Sequence, residues 1–171
     1  MAFVTTFVST LNPGETSNAY NIDFPVGPGV RGNLPDDIML VQALFRIVHF
    51  EVSNPIAPPL GETGIDVDGR FGPRTMRFLL NFQRTAKASN MPVLLDGVFD
   101  PFRAQGGLST VSKTQYAMEI LNHTAFGLCK NEGIDNYLAL PTRTDIPPEL
   151  AGALTGPQRD VARKYEQALV H

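Results

Sequence analysis

The hexapeptide pattern Asp-Gly-x-Phe-x-Pro occurs twice in this chain, and it constrains the fold more than any other feature. The first copy, DGRFGP, begins at Asp68 and the second, DGVFDP, begins at Asp96. Asp can bond the backbone ahead of it and Gly adopts positive φ without a steric penalty, so each pair predicts a chain reversal. Phe71 and Phe99 are apolar within polar turns, and we expect both rings to be largely buried. The proline that closes each copy suits the first turn of a helix, where a missing N–H is tolerated.

Four segments have helix signals, and a long loop separates the first two. Residues 34–50 open with Pro35 and two acids, which suit a helix N-terminus, and then repeat apolar residues at three- and four-residue steps. His49, near the end of this helix, is expected to be a partner of the C-terminal dipole or a surface residue. Three prolines and two glycines in residues 51–67 exclude regular structure over most of that stretch. The other helices are predicted at 72–88, from Ser109 or Ser112 to 131, and near 156–170, the last after a proline-rich connection.

Composition limits the classes of function. With 171 residues, 43% of them hydrophobic, the chain can bury one core, so we expect one domain with appendages. The formal net charge is -3, so the chain lacks the excess of basic residues that nucleic-acid-binding proteins usually have. No Lys or Arg precedes Arg31 and no stretch is apolar enough to cross a bilayer, so we expect neither a general secretory signal nor membrane insertion. The expectation is a protein synthesised in soluble, cytoplasmic form, which a dedicated route could deliver to the periplasm or the cell exterior.

The order of these motifs resembles the peptidoglycan-binding-domain-like family, a small three-helix module common in cell-wall hydrolases. The family pattern has a first helix with Leu-Gln, a Val-Asp-Gly-x-Phe-Gly-Pro-x-Thr loop, a helix ending in Phe-Gln and a second Asp-Gly loop. The matching residues here are Val41, Gln42, Val67, Asp68, Gly69, Phe71, Gly72, Pro73, Thr75, Phe82 and Gln83. The resemblance covers about residues 35–102. The second loop departs from the family, because FDPFRAQGG stands where Gly-Pro-x-Thr is usual, so the third helix must start differently.

The resemblance and the helix signals together predict a mainly α fold. Its centre would be a peptidoglycan-binding-like helical domain over residues 34–130. Residues 1–33, with short β-prone runs followed by a turn-rich linker, would form a partly β N-terminal extension. Residues 131–171 would form a C-terminal helical extension.

No catalytic residue, metal site or cofactor is predicted. Glu119 and His123 stand four residues apart on one predicted helix and could offer two metal ligands, but a third is not apparent, so a surface ion pair is favoured. His123 and Cys129 lie six residues apart, on roughly opposite sides of that helix, so they do not form a thiol and base pair. The single cysteine excludes an intramolecular disulfide framework and is interpreted as a core residue. Asn122 begins an Asn-His-Thr sequon, which we interpret as coincidence in a chain without a secretory signal.

A ligand surface is predicted instead. Between Arg70 and Lys87 every charged residue is basic. Arg70 lies in the first Asp-Gly loop and Arg74 begins the next helix, close to where the resemblance places the family's ligand groove. Arginine grips carboxylates through paired hydrogen bonds, and Asn81 could assist by matching amides. Ordinary solvated arginines are the alternative interpretation of the same residues.

These patterns favour non-catalytic recognition of peptidoglycan or a related bacterial cell-wall polymer. The alternative is a scaffold or adaptor that binds a protein partner, for instance in a phage-like or secretion apparatus. The expected absence of a secretory signal favours this scaffold or adaptor role. A cell-wall hydrolase is a remote third hypothesis, because neither paired carboxylates nor a complete metal site is apparent.

Overall fold

The computed structural model describes residues 1–8, 16–103 and 112–159. The described residues are mainly α, as predicted, with one small sheet. The elements are β1 (Phe3–Val8), β2 (Thr16–Asn21), α1 (Pro35–Arg46), a π-helical turn (Ile47–Glu51), α2 (Pro73–Ala88), α3 (Ala117–Glu132), a 3-10 turn (Leu140–Thr142) and α4 (Pro148–Leu154). None of the helices in these ranges is long and apolar enough to cross a bilayer.

Strands β1 and β2 form an antiparallel hairpin with Phe3 opposite Asn21 and Val8 opposite Thr16. The hairpin is joined to α3 by Asn122. The Asn122 amide donates to the Tyr20 carbonyl oxygen at 2.7 Å, and its Oδ1 accepts the Tyr20 backbone N–H at 2.8 Å. Asn122, which makes these bonds, is fully buried. Its amide is therefore a structural group that is closed to glycan attachment in the folded chain.

Helix α1 lies at the centre of the molecule, with eight of its twelve residues buried. Its predicted N-terminal signals are used in the fold, because Pro35 opens the helix and its two acids bind the N-terminal segment. Asp36 accepts the Ala2 backbone N–H at 2.8 Å, and Asp37 accepts the Phe24 backbone N–H at 3.1 Å. Burial raises the pKa of Asp37 to about 6.

His49 lies in the π-helical turn that follows α1, and of its two expected roles the one that placed it at the surface is wrong. The side chain is buried, with ring centroids 5.5 Å from Phe78 and 5.8 Å from Phe45. Its Nδ1 is 2.8 Å from the Ile56 carbonyl oxygen, and in the neutral tautomer that fits this contact the Nδ1–H group donates a hydrogen bond to that oxygen. The π-helical turn continues directly from α1, and its residues Ile47, Val48 and His49 are all buried.

Two helix boundaries differ from the sequence prediction. Helix α3 begins at Ala117 rather than at Ser112, because Lys113 has φ of 57°, a left-handed conformation that a helix cannot contain. The other predicted start, Ser109, lies outside the described residues. Helix α4 lies at Pro148–Leu154, in the region predicted as a proline-rich connection, and Pro148 is tolerated at its first position. The helix predicted at 156–170 falls mostly outside the described residues. Its described part, residues 156–159, is not helical.

One hydrophobic cluster contains residues of the N-terminal hairpin, of α1 to α3 and of the C-terminal part. Phe45 is at its aromatic centre, within 5.7 to 5.9 Å of the ring centroids of Phe78, Phe82 and Phe99. Tyr20 and Tyr137 pack at 4.9 Å and join the hairpin to the segment after α3. Extended aromatic contacts of this kind add to the free energy gained by burial alone.

An ion network fastens the C-terminal part to the end of α1. Arg143 donates from Nη2 to Glu51 Oε1 at 2.6 Å and from Nη1 to Glu51 Oε2 at 2.7 Å, a bidentate pair. Burial acts to raise the pKa of Glu51, but the hydrogen bonds from Arg143 and Asn136 lower it below the usual range. The network therefore holds Glu51 ionised.

Candidate functional site

The first Asp-Gly turn is clamped by Gln42 from α1. Gln42 Nε2 donates to Asp68 Oδ1 at 2.9 Å and to the Arg70 carbonyl oxygen at 3.2 Å. Gln42 Oε1 accepts the backbone N–H groups of Asp68 and Gly69, both at 3.0 Å. One buried amide thus satisfies four polar groups of the turn, and the turn is fixed to the centre of the fold.

The second Asp-Gly turn is clamped in the same way by Gln83 from α2. Gln83 Nε2 donates to Asp96 Oδ1 and to the Val98 carbonyl oxygen, both at 3.0 Å, and its Oε1 accepts the Gly97 backbone N–H at 2.8 Å. Each helix therefore supplies a glutamine to the turn that follows it. The resemblance placed Gln42 and Gln83 in the family pattern, but the sequence did not reveal these bonds, because the partners are 26 and 13 residues away.

The geometry of both turns agrees with the sequence prediction. Gly69 and Gly97 have φ of 71° and 69°. Phe99 is fully buried, and its backbone pairs with Val26 through hydrogen bonds of 3.0 and 2.8 Å. Phe71 is only partly buried against the core, less deeply than expected. The two rings differ in burial because the second turn is covered by the bridge from Val26 to Phe99, and the described residues contain no such bridge at Phe71.

Arg70 lies in the first turn, with its side chain exposed. Its backbone N–H donates to Asp68 Oδ1 at 2.9 Å. Partial burial opposes the change, but this bond, the Gln42 amide and the Arg70 charge together lower the pKa of Asp68. The clamp therefore fixes the backbone of Arg70 while its guanidinium faces solvent beside an ionised carboxylate.

Arg74 lies at the start of α2, where its guanidinium contacts the long loop. Its Nε donates to Glu62 Oε2 at 2.8 Å, its Nη1 to Asp66 Oδ2 at 3.4 Å and its Nη2 to the Gly64 carbonyl oxygen at 2.8 Å. Arg77, one turn further along α2, donates to the other oxygen of Glu62. Hydrogen bonds from Arg77 and then Arg74 lower the pKa of Glu62.

Asn81 also contacts the long loop, because its Nδ2 donates to the Ala57 carbonyl oxygen at 3.0 Å. The three predicted site residues therefore lie along one side of α2 and the turn before it, but Arg74 and Asn81 already have partners within the chain. The sequence analysis missed Glu62 and Arg77. A sequence signal for this contact was that Glu62 is an acidic residue in the loop that precedes α2, a helix without acidic residues.

A small cleft of about 40 Å³ lies beside the second turn, between that turn and the start of α3. Leu94, Asp96, Asp100 and Tyr116 are among the residues that line it. Burial, and secondly the charge of Asp96, raise the pKa of Asp100. The cleft is therefore mixed in character, with an apolar wall and two carboxylates.

The side chains of Glu119 and His123 are neighbours, with His123 Nε2 3.8 Å from Glu119 Oε1, a contact that is an ion pair only when the imidazole is protonated. Glu119 is buried, whereas the pair was expected at the surface. The described residues contain no group of three or more His, Cys, Asp or Glu side chains that could hold a metal. Cys129 is buried, as predicted, and burial raises the pKa of its thiol.

No protein-family model, no curated protein and no solved structure matches this chain.

Proposed function

We propose that this protein is a non-catalytic recognition module for peptidoglycan or a related bacterial cell-wall polymer. The observation that carries the proposal is the pair of glutamine-clamped Asp-Gly turns, since these clamps use the residues that resemble the peptidoglycan-binding-like pattern. The first clamp gives Arg70 a fixed backbone and an exposed guanidinium beside the start of α2. A ligand group held on rigid backbone loses less entropy on binding than one on a mobile loop.

The chemistry of the surface suits a polymer with carboxylates and amides. The Arg74 and Arg77 side chains are 45% and 54% exposed, so their guanidinium groups are open to a ligand from one side. Arg70 extends the same basic surface toward the first turn. Asn81 is assigned a positioning role, because its amide donates to Ala57 and holds the loop against α2.

Co-sedimentation of the purified protein with insoluble sacculi at low salt tests the proposal. The wild type should sediment, and replacing Arg70 and Arg74 together by Ala should weaken binding by about tenfold, if each exposed charge contributes about 1 kcal/mol or less. A matched control replaces Arg84 and Lys87 by Ala, which removes the same charge from the other end of α2. This control should bind nearly as the wild type does. Failure of the wild type to sediment would refute wall recognition.

A second function, that of a scaffold or adaptor for a protein partner, is supported by one apolar segment. Met91, Leu94 and Leu95 are 38%, 45% and 46% exposed in the segment before the second turn. Adjacent exposed apolar residues are typical of protein-contact surfaces when they cluster. Under this hypothesis, crosslinking in the producing cell should capture a partner that is lost on changing Leu94 and Leu95 to Ser. The Arg70 and Arg74 double replacement should retain it.

A further inference from the structure

The side chain of Glu62 lies between two arginines of α2, and the three groups together have the form of an occupied carboxylate site. Arg74 and Arg77 are three residues apart, so their side chains are neighbours on one face of the helix. Arg74 Nε donates to Glu62 Oε2 at 2.8 Å, and Arg77 Nη2 donates to Glu62 Oε1. Each carboxylate oxygen thus has its own guanidinium, an arrangement that proteins use to recognise carboxylates from ligands.

We infer that Arg74 and Arg77 form a carboxylate-binding fork, that Glu62 occupies it as an internal ligand, and that a peptide carboxylate of the wall polymer displaces Glu62. This inference rests on the proposed function and narrows it. The recognised group is a carboxylate of the stem peptide, whereas the glycan hydroxyls make secondary contacts. Both arginines can exchange one carboxylate for another without leaving a buried charge, because each is about half exposed.

The chain on either side of Glu62 has little packed against it. Leu60 is fully exposed, and a side chain added at Gly61 or Gly64 would meet nothing within 4 Å. The loop has a separate attachment on one side, where Asn81 donates to the Ala57 carbonyl oxygen at 3.0 Å. Displacement of Glu62 therefore needs a shift of residues 60–64, which lie between the buried Pro59 and the buried Ile65, and the carboxylate would become hydrated.

The internal ligand competes with the external one, so its removal should increase affinity. The Glu62 side chain is 9% exposed and its two arginine partners are about half exposed, so we expect this partly exposed ion pair to change the equilibrium by about fivefold. Glu62→Gln keeps the shape of the side chain and removes its charge, and this variant should bind sacculi about two- to fivefold more tightly than the wild type. A purely structural role for Glu62 predicts the opposite, because a loosened loop would not tighten binding.

Asp66→Asn is the matched control. This change also removes one acidic charge, but Asp66 is 82% exposed and its carboxylate is 3.4 Å from Arg74, farther than the carboxylate of Glu62. Its affinity for sacculi should stay close to that of the wild type. Arg77→Gln, which removes half of the fork, should bind more weakly than the wild type. Thermal unfolding of all variants checks that each is folded.

The experiment measures binding of these variants to native sacculi and to sacculi whose peptide carboxylates have been converted to amides with carbodiimide and ammonium chloride. Tighter binding of Glu62→Gln to native sacculi, lost on the amidated sacculi, is the expected result. Equal or weaker binding of Glu62→Gln, with clear binding by the wild type, overturns the internal ligand and leaves wall recognition standing. Equal tightening by Asp66→Asn also overturns it, because net charge would then explain the effect. If neither the wild type nor Glu62→Gln binds, both proposals fail.

Discussion

Gln42 holds Asp68 from two sides, since its Nε2 donates to the Asp68 carboxylate at 2.9 Å and its Oε1 accepts the Asp68 backbone N–H at 3.0 Å. Replacing Gln42 by Met keeps the volume of the side chain but removes every bond of the clamp. The Gly69 N–H, which is buried, then loses its acceptor. We expect the free energy of unfolding to fall by about 2–4 kcal/mol, as two backbone donors lose their partners. Urea unfolding measures this change, and a loss below about 0.5 kcal/mol would show that the clamp is dispensable.

Gly69 should not tolerate a side chain. Its φ is 71°, and an added Cβ would lie 2.9 Å from the Pro35 carbonyl oxygen. Gly69→Ala should destabilise the fold by about 2 kcal/mol or more, from backbone strain and this contact. Gly127→Ala is the control, because Gly127 lies within α3 and an added Cβ meets nothing within 4 Å. That change should be neutral or stabilise by up to about 1 kcal/mol. Equal melting temperatures for Gly69→Ala and Gly127→Ala would contradict the requirement for glycine at position 69.

The two hexapeptide phenylalanines should differ in their contribution to stability. Phe99 is fully buried, with its ring centroid 5.7 Å from that of Phe45, whereas Phe71 is partly buried. Phe99→Ala should cost about 3–5 kcal/mol, and Phe71→Ala about 1–2 kcal/mol, because less of its ring leaves water on folding. Chemical denaturation of the two variants gives the comparison. A larger loss at Phe71 would mean that the first turn, not the second, is the anchor.

His49 should make stability depend on pH below about 6.5. Burial lowers the pKa of the folded-state imidazole, although the hydrogen bond to Ile56 opposes this. Below the unfolded-state pKa of about 6.5, the unfolded chain binds a proton that the folded chain binds less readily, so the free energy of unfolding falls as the pH falls. Above that pH the contribution is constant.

His49→Asn isolates this effect, because Asn offers an amide donor near the position of Nδ1 but does not titrate. The difference in stability between wild type and variant should shrink as the pH falls from 7.5 to 5. Asp37, with a pKa raised to about 6 by burial, titrates in both proteins and cancels in the difference. If the free energies of unfolding of the wild type and of His49→Asn change with pH in parallel, His49 is protonated equally readily in the folded and unfolded chains, and the prediction is wrong.

The sequence predicted those parts of the fold whose signals are local. The starts of α1 and α2, both at prolines, and the two Asp-Gly turns depend on residues within a few positions of one another. The burial of His49 was missed, because it depends on Phe78 and Ile56 closing over it. Helix α4 was missed since Pro147 and Pro148 suggested a connection, whereas a proline at the first helical position is compatible with the helix.

Some features of the candidate site could likewise be predicted from local sequence, and others could not. The exposure of Arg70 and the basic face of α2 could be predicted from an acid-free stretch of sequence. The partners of Arg74 could not, because Glu62 is twelve residues away and reaches it only through the path of the long loop. That path depends on tertiary bonds such as the one from Asn81 to Ala57, which leave no periodic trace in the sequence.

Titration of the isotope-labelled protein with soluble muropeptides, followed by amide chemical shifts, tests wall recognition at this surface most directly. We expect saturable shifts at Arg70, at Arg74 to Asn81 and in the loop at residues 57–64. The segment with Leu94 and Leu95 should be unaffected, as should the whole spectrum on titration with a cello-oligosaccharide that lacks peptide carboxylates. Shifts confined to Leu94, Leu95 and the cleft beside them, or no saturable shift at millimolar muropeptide, would contradict wall recognition by the arginines of α2.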